Sequence, residues 1–283
     1  LPPVSFSSQS NQTPRPGVSL SGQSCPKQKS KQYDMKDVRQ TLLDHRSIRR
    51  YEREPITDSQ MEFIREAVRT TPTSYNGQQY SVIDVTDQPL KEKLYEISGQ
   101  KQIKTCSHFL VFCADYHKIS LIAREKGVDM PPFYDTADGL IVGTVDASLA
   151  MMRALVAAEA MGLGACCIGY ARTVNPAAFA QLLKLPQHVY VVCGLAIGVP
   201  REHPDIKPKE PEAALFHANS YSSDATLLDS LKEYDAEVTA YNTTRSGTKS
   251  DNDWAAHIIS YYSEAMGYRM LEALRQRGFD IKQ

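Results

Sequence analysis

From Met35 onward apolar positions recur at helical spacing, with Val38, Leu42 and Leu43 preceding a basic run. Residues 56–72, ITDSQMEFIREAVRTTP, predict a second helix, capped by Thr57 with Gln60 as its capping-box partner and ended by Pro72. Tyr80 to Val85 alternates as a strand, and Gln88 to Ile97 reads as a short amphipathic helix. Phe109 to Cys113, FLVFC, is a continuous apolar run of strand length, which suits a buried strand. The longest helix is predicted over Thr144–Met161, apolar on nearly all sides, with Gly162 and Gly164 ending it. Such a helix must be covered on every face, which a dimer does more readily than a monomer of this size. Ala165 to Ile168 starts a strand, Pro176 to Leu185 a helix, and Val189 to Gly198 a central strand. Leu227–Tyr241 and Trp254–Gly278 complete the pattern as helices. Helices dominate four or so strands with no internal repeat, so the expected class is α+β.

Residues 1–34 stand apart. They are rich in Ser, Pro, Gln and Gly, show no apolar period, and are expected to be disordered or foreign to the natural chain, whose start Met35 could supply. No charged n-region followed by an apolar stretch opens the sequence, so no signal peptide is expected. The 283 residues are 42% hydrophobic, enough for one sizeable core or two small ones. A net charge of −1 lowers the case for a nucleic-acid binder but leaves room for local anion sites. Asp146, Arg153 and Glu159 interrupt the most apolar stretch and argue against a membrane span. The six cysteines have neither zinc-ribbon nor CxxC spacing, which points to reduced thiols in a cytoplasmic protein.

Four clusters carry candidate chemistry. His45-Arg46-Ser47-Ile48-Arg49-Arg50-Tyr51 gathers three arginines, a histidine and a hydroxyl, suited to phosphate. A solvated basic helix end would look the same. Thr73-Ser74-Tyr75-Asn76-Gly77-Gln78-Gln79 is either an ordinary polar loop or one that aims hydrogen bonds at a planar heterocycle. Gly162 to Arg172 holds glycines that permit close backbone approach, but neither the dinucleotide fingerprint nor a P-loop. Ile206-Lys207-Pro208-Lys209 places two lysines around a stiffening proline, or is a plain surface turn.

Taken in order, HRSIRRY, S-x-N-G-Q-Q, G-L-G-x-x-x-I-G, L-K-L-P-Q-H, G-x-P, I-K-P-K, HANSY at 217–221 and a late TTR resemble the nitroreductase superfamily, in its large NADPH-dependent branch. The match runs from about Met35 to the carboxyl terminus and makes 35–283 a nitroreductase-like domain with a C-terminal extension. The resemblance implies a central mixed sheet flanked by helices, an intertwined homodimer with the long apolar helix in its interface, and bound FMN. His45, Arg46, Ser47 and Arg49 match residues on the FMN phosphate and ribityl chain, joined by Lys207 and Lys209. Ser74, Asn76 and Gln78 match the loop against the isoalloxazine, Gln100 an amide on its pyrimidine edge, and Ile168 and Gly169 the backbone at flavin N5. Tyr170 stands where the family often has a second glycine, Arg172 matches a pocket arginine, and Arg245, with Lys249 more loosely, matches basic residues that reach the 2′-phosphate of NADPH.

The implied activity is NAD(P)H-driven, ping-pong reduction of nitroaromatics, quinones or free flavin, with hydride passing through flavin N5 and no catalytic side chain required. A flavin reductase that supplies reduced flavin, a flavin carrier or sensor with little turnover, and a binding module for another phosphate ligand share these residues and stay open.

Overall fold

The structure is a computed structural model and describes residues 35–282. The expectation for residues 1–34 lies outside them. Helix α1 (Val38–Leu43) is capped by the Asp37 carboxylate, and α2 (Asp58–Arg69) opens with the Thr57–Gln60 capping box expected from sequence. A 3-10 turn at Ser74–Asn76 leads into β1 (Tyr80–Val85), α3 (Gln88–Ser98), α4 (Lys101–Thr105), β2 (His108–Asp115) and α5 (His117–Glu125). A second 3-10 turn, Phe133–Asp135, precedes α6 (Ala137–Ala160), β3 (Gly164–Ile168), α7 (Tyr170–Thr173), α8 (Pro176–Leu182) and β4 (Val189–Gly198). The remainder is helical: α9 (Glu212–Leu215), α10 (Asp224–Thr244), α11 (Trp254–Ala265) and α12 (Met270–Gln276).

The strands form one sheet in the order β1-β2-β4-β3, and all three pairings are antiparallel. The parallel component expected of a mixed sheet is confined, among the described residues, to a single bridge between Ser47 and Ala165. The two central strands are buried on both faces, which is why they read as unbroken apolar runs. Leu110, Phe112 and Ala114 of β2 face a core built with α2 and α6; Phe109, Val111 and Cys113 face one containing Leu94, Ile103 and Phe179. In β4 the alternation slips. Val192 and Cys193 both join the first core, and the β2 register shifts there, pairing Phe112 with Cys193 and Cys113 with Val191. A bulge at this point lets one strand change which parity faces which core.

Two expectations about helices change. Helix α6 begins at Ala137, capped by Thr136, rather than at Thr144. Gly139 and Gly143 weaken the helical pattern of its first turns, but close packing requires them. A Cβ on Gly139 would sit 2.1 Å from the Phe133 carbonyl oxygen, and one on Gly143 2.9 Å from the Ala114 methyl. The single helix expected over Trp254–Gly278 is two, because the chain turns at Met266–Arg269, with Gly267 in the break. The long helix is buried against the sheet and α2 along one side only. Ile141, Val145, Leu149 and Met152 are 59, 48, 43 and 49% exposed and form one uncovered apolar stripe.

Candidate functional site

The basic segment is not a helix end. It runs extended along the sheet, where Ile48 N–H donates to the Ala165 carbonyl at 2.9 Å, Glu52 N–H to Val199 and Arg201 N–H to the Arg50 carbonyl. Ile48 and Tyr51 are buried, and the Tyr51 hydroxyl donates to the Ile48 carbonyl at 2.6 Å. Sinking these two residues leaves Arg46, Ser47, Arg49 and Arg50 on the opposite side. Gly164 permits the approach, since a Cβ there would lie 2.8 Å from Ile48 Cβ. One motif glycine therefore makes room for the basic segment itself.

Facing that segment is the stretch that leaves β4. Tyr241 and Tyr234 on α10 donate their hydroxyls to the Asp205 and Pro208 carbonyls, fixing Lys207 and Lys209 opposite the arginines. Between them lies an open cleft of about 550 Å³ lined by His45, Arg46, Ser47, Arg49, Arg50, Lys207, Lys209 and Arg245, with Glu202, His203, Pro204 and Asp205 along its floor and rim. That volume is in the roughly 300–1,000 Å³ range of small-molecule sites.

The charge balance of the cleft is strongly positive. Glu202 accepts from the backbone N–H of Arg49 at 2.6 Å and pairs with the Arg50 guanidinium at 3.6 Å. His45 pairs with Glu159 at 2.8 Å. The Nε of Arg46 is buried and has no hydrogen-bond partner among the described residues. Lys207 is held below its ordinary ammonium value, first by burial and then by the charges of Arg49, Arg245 and Lys209. An unpaired guanidinium N–H and a crowded ammonium are both relieved by a bound anion. The residues present therefore fit the phosphate end of FMN.

The sequence profile of the nitroreductase family matches residues 42–199, and that of the family's C-terminal domain matches 207–282. The chain belongs to the nitroreductase family. It is 35% identical to an FMN reductase [NAD(P)H] of Bacillus subtilis over 88% of this chain and all of that one. It is 36% identical to an oxygen-insensitive NADPH nitroreductase of Salmonella typhimurium over 84% of this chain and 96% of the relative. Among solved structures, a hypothetical oxidoreductase of B. subtilis aligns with a TM-score of 0.84 at 35% identity, covering 88% of this chain and all of that one. An NADPH:FMN oxidoreductase from Vibrio harveyi, complexed with NAD+, aligns at 0.76 and 29% identity over 87% of this chain and 99% of its own.

Of the other candidate residues, Arg245 joins the basic cleft and the rest sit apart from it. Ser74, Asn76 and Gln78 lie on the loop before β1, where Tyr75, Asn76 and Gln78 all adopt φ of 52°. Asp146 of α6 holds the loop at both ends. Asp146 and Glu159, the partner of His45, are separated along α6 by about 20 Å at 1.5 Å per residue. Gln100 stands at the N-terminal edge of α4, where its side-chain carbonyl accepts from the Gln102 amide at 2.8 Å. Ile168 is buried at the end of β3, and Gly169 leads directly into α7. Tyr170 opens that helix, at its first position after Gly169. Arg172 turns beneath the sheet, donates to the Val192 carbonyl at 3.0 Å, and lines a small crevice under α12 with Tyr190 and Arg277. Arg245 lines the basic cleft and donates to the Thr248 carbonyl at 2.5 Å. Lys249 is exposed on the same connector but does not line that cleft.

Sequence reasoning missed Glu202, Asp205 and Tyr241. Glu202 organises the arginine backbone, and Asp205 accepts the N–H and hydroxyl of Ser246, closing the connector over the cleft. Their signal is faint, because acids in a Pro-rich exit from a strand look like any linker. Only the nearness of REHPD to the lysine pair hinted at them.

Proposed function

We propose that the chain is an FMN-dependent NADPH oxidoreductase that passes electrons to small acceptors such as nitroaromatics, quinones or free flavin. The observation that carries this reading is the cleft in which Arg46, Arg49, Lys207 and Lys209 converge, with a buried guanidinium N–H awaiting an acceptor. When bound, the flavin supplies the hydride chemistry. The chain's residues bind and orient. Arg46, Ser47, Arg49, Lys207 and Lys209 hold the phosphate, and Glu159 sets the His45 ring beside it. Ser74, Asn76, Gln78 and Gln100 offer polar groups, and Ile168 and Gly169 offer backbone, to the ring system. Tyr170 walls the acceptor space. Arg172, tied to Val192, acts there by positioning β4. Arg245 and Lys249 select NADPH through its 2′-phosphate.

The working unit in this reading is a homodimer. The exposed stripe on α6 supplies an apolar face for a second copy. The long separation along α6 between the Asp146 loop and His45 suits a loop that serves the cleft of the partner subunit. The cytoplasm is the proposed compartment, in keeping with free thiols at Cys106, Cys113, Cys166, Cys167 and Cys193.

The test is an acceptor panel with saturating NADPH on the FMN-loaded protein. Turnover with nitroaromatics and quinones supports the reading. A marked preference for free FMN makes it a flavin reductase, as the names of two B. subtilis relatives favour. Bound flavin that NADPH does not bleach overturns the enzyme reading in favour of a carrier or sensor.

A further inference from the structure

The loop before β1 is gripped from two sides. Asp146 holds it from the core, and a second grip comes from α5. Asp115, the last residue of β2, is buried. It accepts from the His117 and Lys118 N–H groups at 2.9 and 3.3 Å, and from the Ser81 hydroxyl of β1. Those bonds fix the first turn of α5 against the start of β1. From there the Lys118 ammonium reaches two backbone carbonyls, that of Tyr80 at 2.7 Å and that of Gln78 at 3.2 Å.

The two carbonyls are unequal. Tyr80 is anchored, because its ring is buried and its hydroxyl donates to the Val68 carbonyl at 2.7 Å. Gln78 is strained, with φ of 52°, a region that a residue with a side chain holds only when its surroundings enforce it. The Gln79 carbonyl between them turns toward β2 and accepts from the Asp115 N–H at 3.0 Å, so the carbonyls on either side face away from β2. One ammonium thus ties the strained carbonyl to the anchored one. It also lies 5.8 Å from the Tyr80 ring centroid, within cation–π reach. The Gln78 N–H donates to Thr73 Oγ at 3.1 Å. With that N–H on Thr73 and the carbonyl on Lys118, both peptide groups flanking Gln78 are held, and the direction in which its side chain projects is set.

We propose that Lys118 is a positioning residue for the flavin, acting through Gln78: it fixes the backbone from which the Gln78 amide is presented to the ring system. The proposal rests on the flavin-enzyme reading above and adds a residue that no sequence motif singled out. A lysine that only shields the edge strand β1 from pairing would need no link to Gln78.

The test is equilibrium dialysis of FMN against flavin-free protein, with the absorption spectrum of the bound flavin. The variants are Lys118→Met, Lys118→Arg, Gln78→Ala and the double variant of Lys118→Met with Gln78→Ala. Lys118 is exposed, and methionine keeps its length while removing the donors, so the core is untouched. Lys118→Met should weaken FMN binding about fivefold and change the visible absorption band of the flavin that does bind. Lys118→Arg should restore most of both. In the Gln78→Ala background, Lys118→Met should cost nothing further, since the side chain it positions is gone. Affinity and spectrum equal to wild type in Lys118→Met overturn the assignment alone. So does a Gln78→Ala variant that binds FMN like wild type, and so does an undiminished loss in the double variant, which would leave Lys118 as a support of the edge strand. Wild-type protein that takes up no FMN overturns the flavin reading and this assignment with it.

Discussion

The carboxylate of Asp146, in the middle of α6, accepts a hydrogen bond from the backbone N–H of Ser74 at 3.1 Å. Its other oxygen accepts from Gln79 N–H at 3.2 Å, so one buried acid holds both ends of the loop that carries Ser74, Asn76 and Gln78. That loop needs holding. Tyr75, Asn76 and Gln78 occupy the left-handed region without being glycine, which is costly unless the surroundings enforce it. Asp146→Ala should lower unfolding free energy by about 3 kcal/mol, since two bonds to a charged acceptor are lost and two N–H groups are left unpaired. Asp146→Asn should lose less, because one carbonyl acceptor remains. Urea denaturation of both variants checks this, and a change below about 0.5 kcal/mol for the alanine variant would contradict the clamp.

Arg46→Ala should release flavin. A charge-assisted contact to phosphate is worth about 1.5–3 kcal/mol, or roughly ten- to a hundredfold in affinity. The buried, unpartnered Nε sharpens the expectation, because this arginine has already left water without gaining a protein acceptor. Equilibrium dialysis against FMN measures it. Flavin content equal to wild type would mean the guanidinium serves the fold.

Anion binding in the cleft should be linked to protons through Lys207. In the free protein its ammonium is depressed, by burial first and then by Arg49, Arg245 and Lys209. A bound phosphate neutralises those neighbours and raises the value again, so binding takes up a proton between the depressed value of the free protein and the raised value of the complex. FMN affinity should therefore decline on the alkaline side, beginning below the ordinary lysine value of 10.5. Lys207→Met should bind more weakly at neutral pH and show a flatter alkaline limb. Parallel limbs in the two proteins would remove Lys207 from the linkage.

Much of the fold was open to reading from the sequence. The bounds of β1 and β4 follow the alternation at Tyr80–Val85 and the apolar run at Val189–Gly198. The Thr57–Gln60 cap was equally plain. What stayed hidden had physical causes. The start of α6 is masked by glycines needed for packing, the β4 bulge leaves no mark in a strand apolar on both faces, and no residue type announces left-handed backbone at Tyr75 or Gln78. In the cleft the cations stood out as local clusters, whereas Glu202 and Asp205 meet them only through the exit of β4.

The exposed stripe on α6 predicts assembly. Ile141, Val145, Leu149 and Met152 share one helix face and do not enter the core of the protomer, so a charge there should spare folding. Val145→Asp combined with Leu149→Glu should turn a dimer into a monomer at low micromolar concentration. Multi-angle light scattering reads the mass directly. A wild-type monomer, or a double variant that remains dimeric, would place the interface elsewhere.

Discrimination between the two nicotinamide donors should rest on Arg245. Its backbone N–H closes the last turn of α10 on Tyr241, while its side chain extends over the Tyr241 ring to the Thr248 carbonyl in the lining of the basic cleft. Truncation keeps the helix end and removes only the guanidinium. NADPH carries an extra dianion that NADH lacks, so Arg245→Ala should raise KM for NADPH several-fold, by about 1–2 kcal/mol, and leave that for NADH nearly unchanged. The value of kcat should hardly move, because a contact remote from the hydride is made equally in the ground and transition states. Lys249 is exposed and does not line the basic cleft, so Lys249→Ala should have a smaller effect in the same direction. Steady-state kinetics with both donors decide the matter. Equal losses for NADPH and NADH would mean that the connector supports folding or flavin binding, and the 2′-phosphate contact would have to be sought at Lys207 and its neighbours instead.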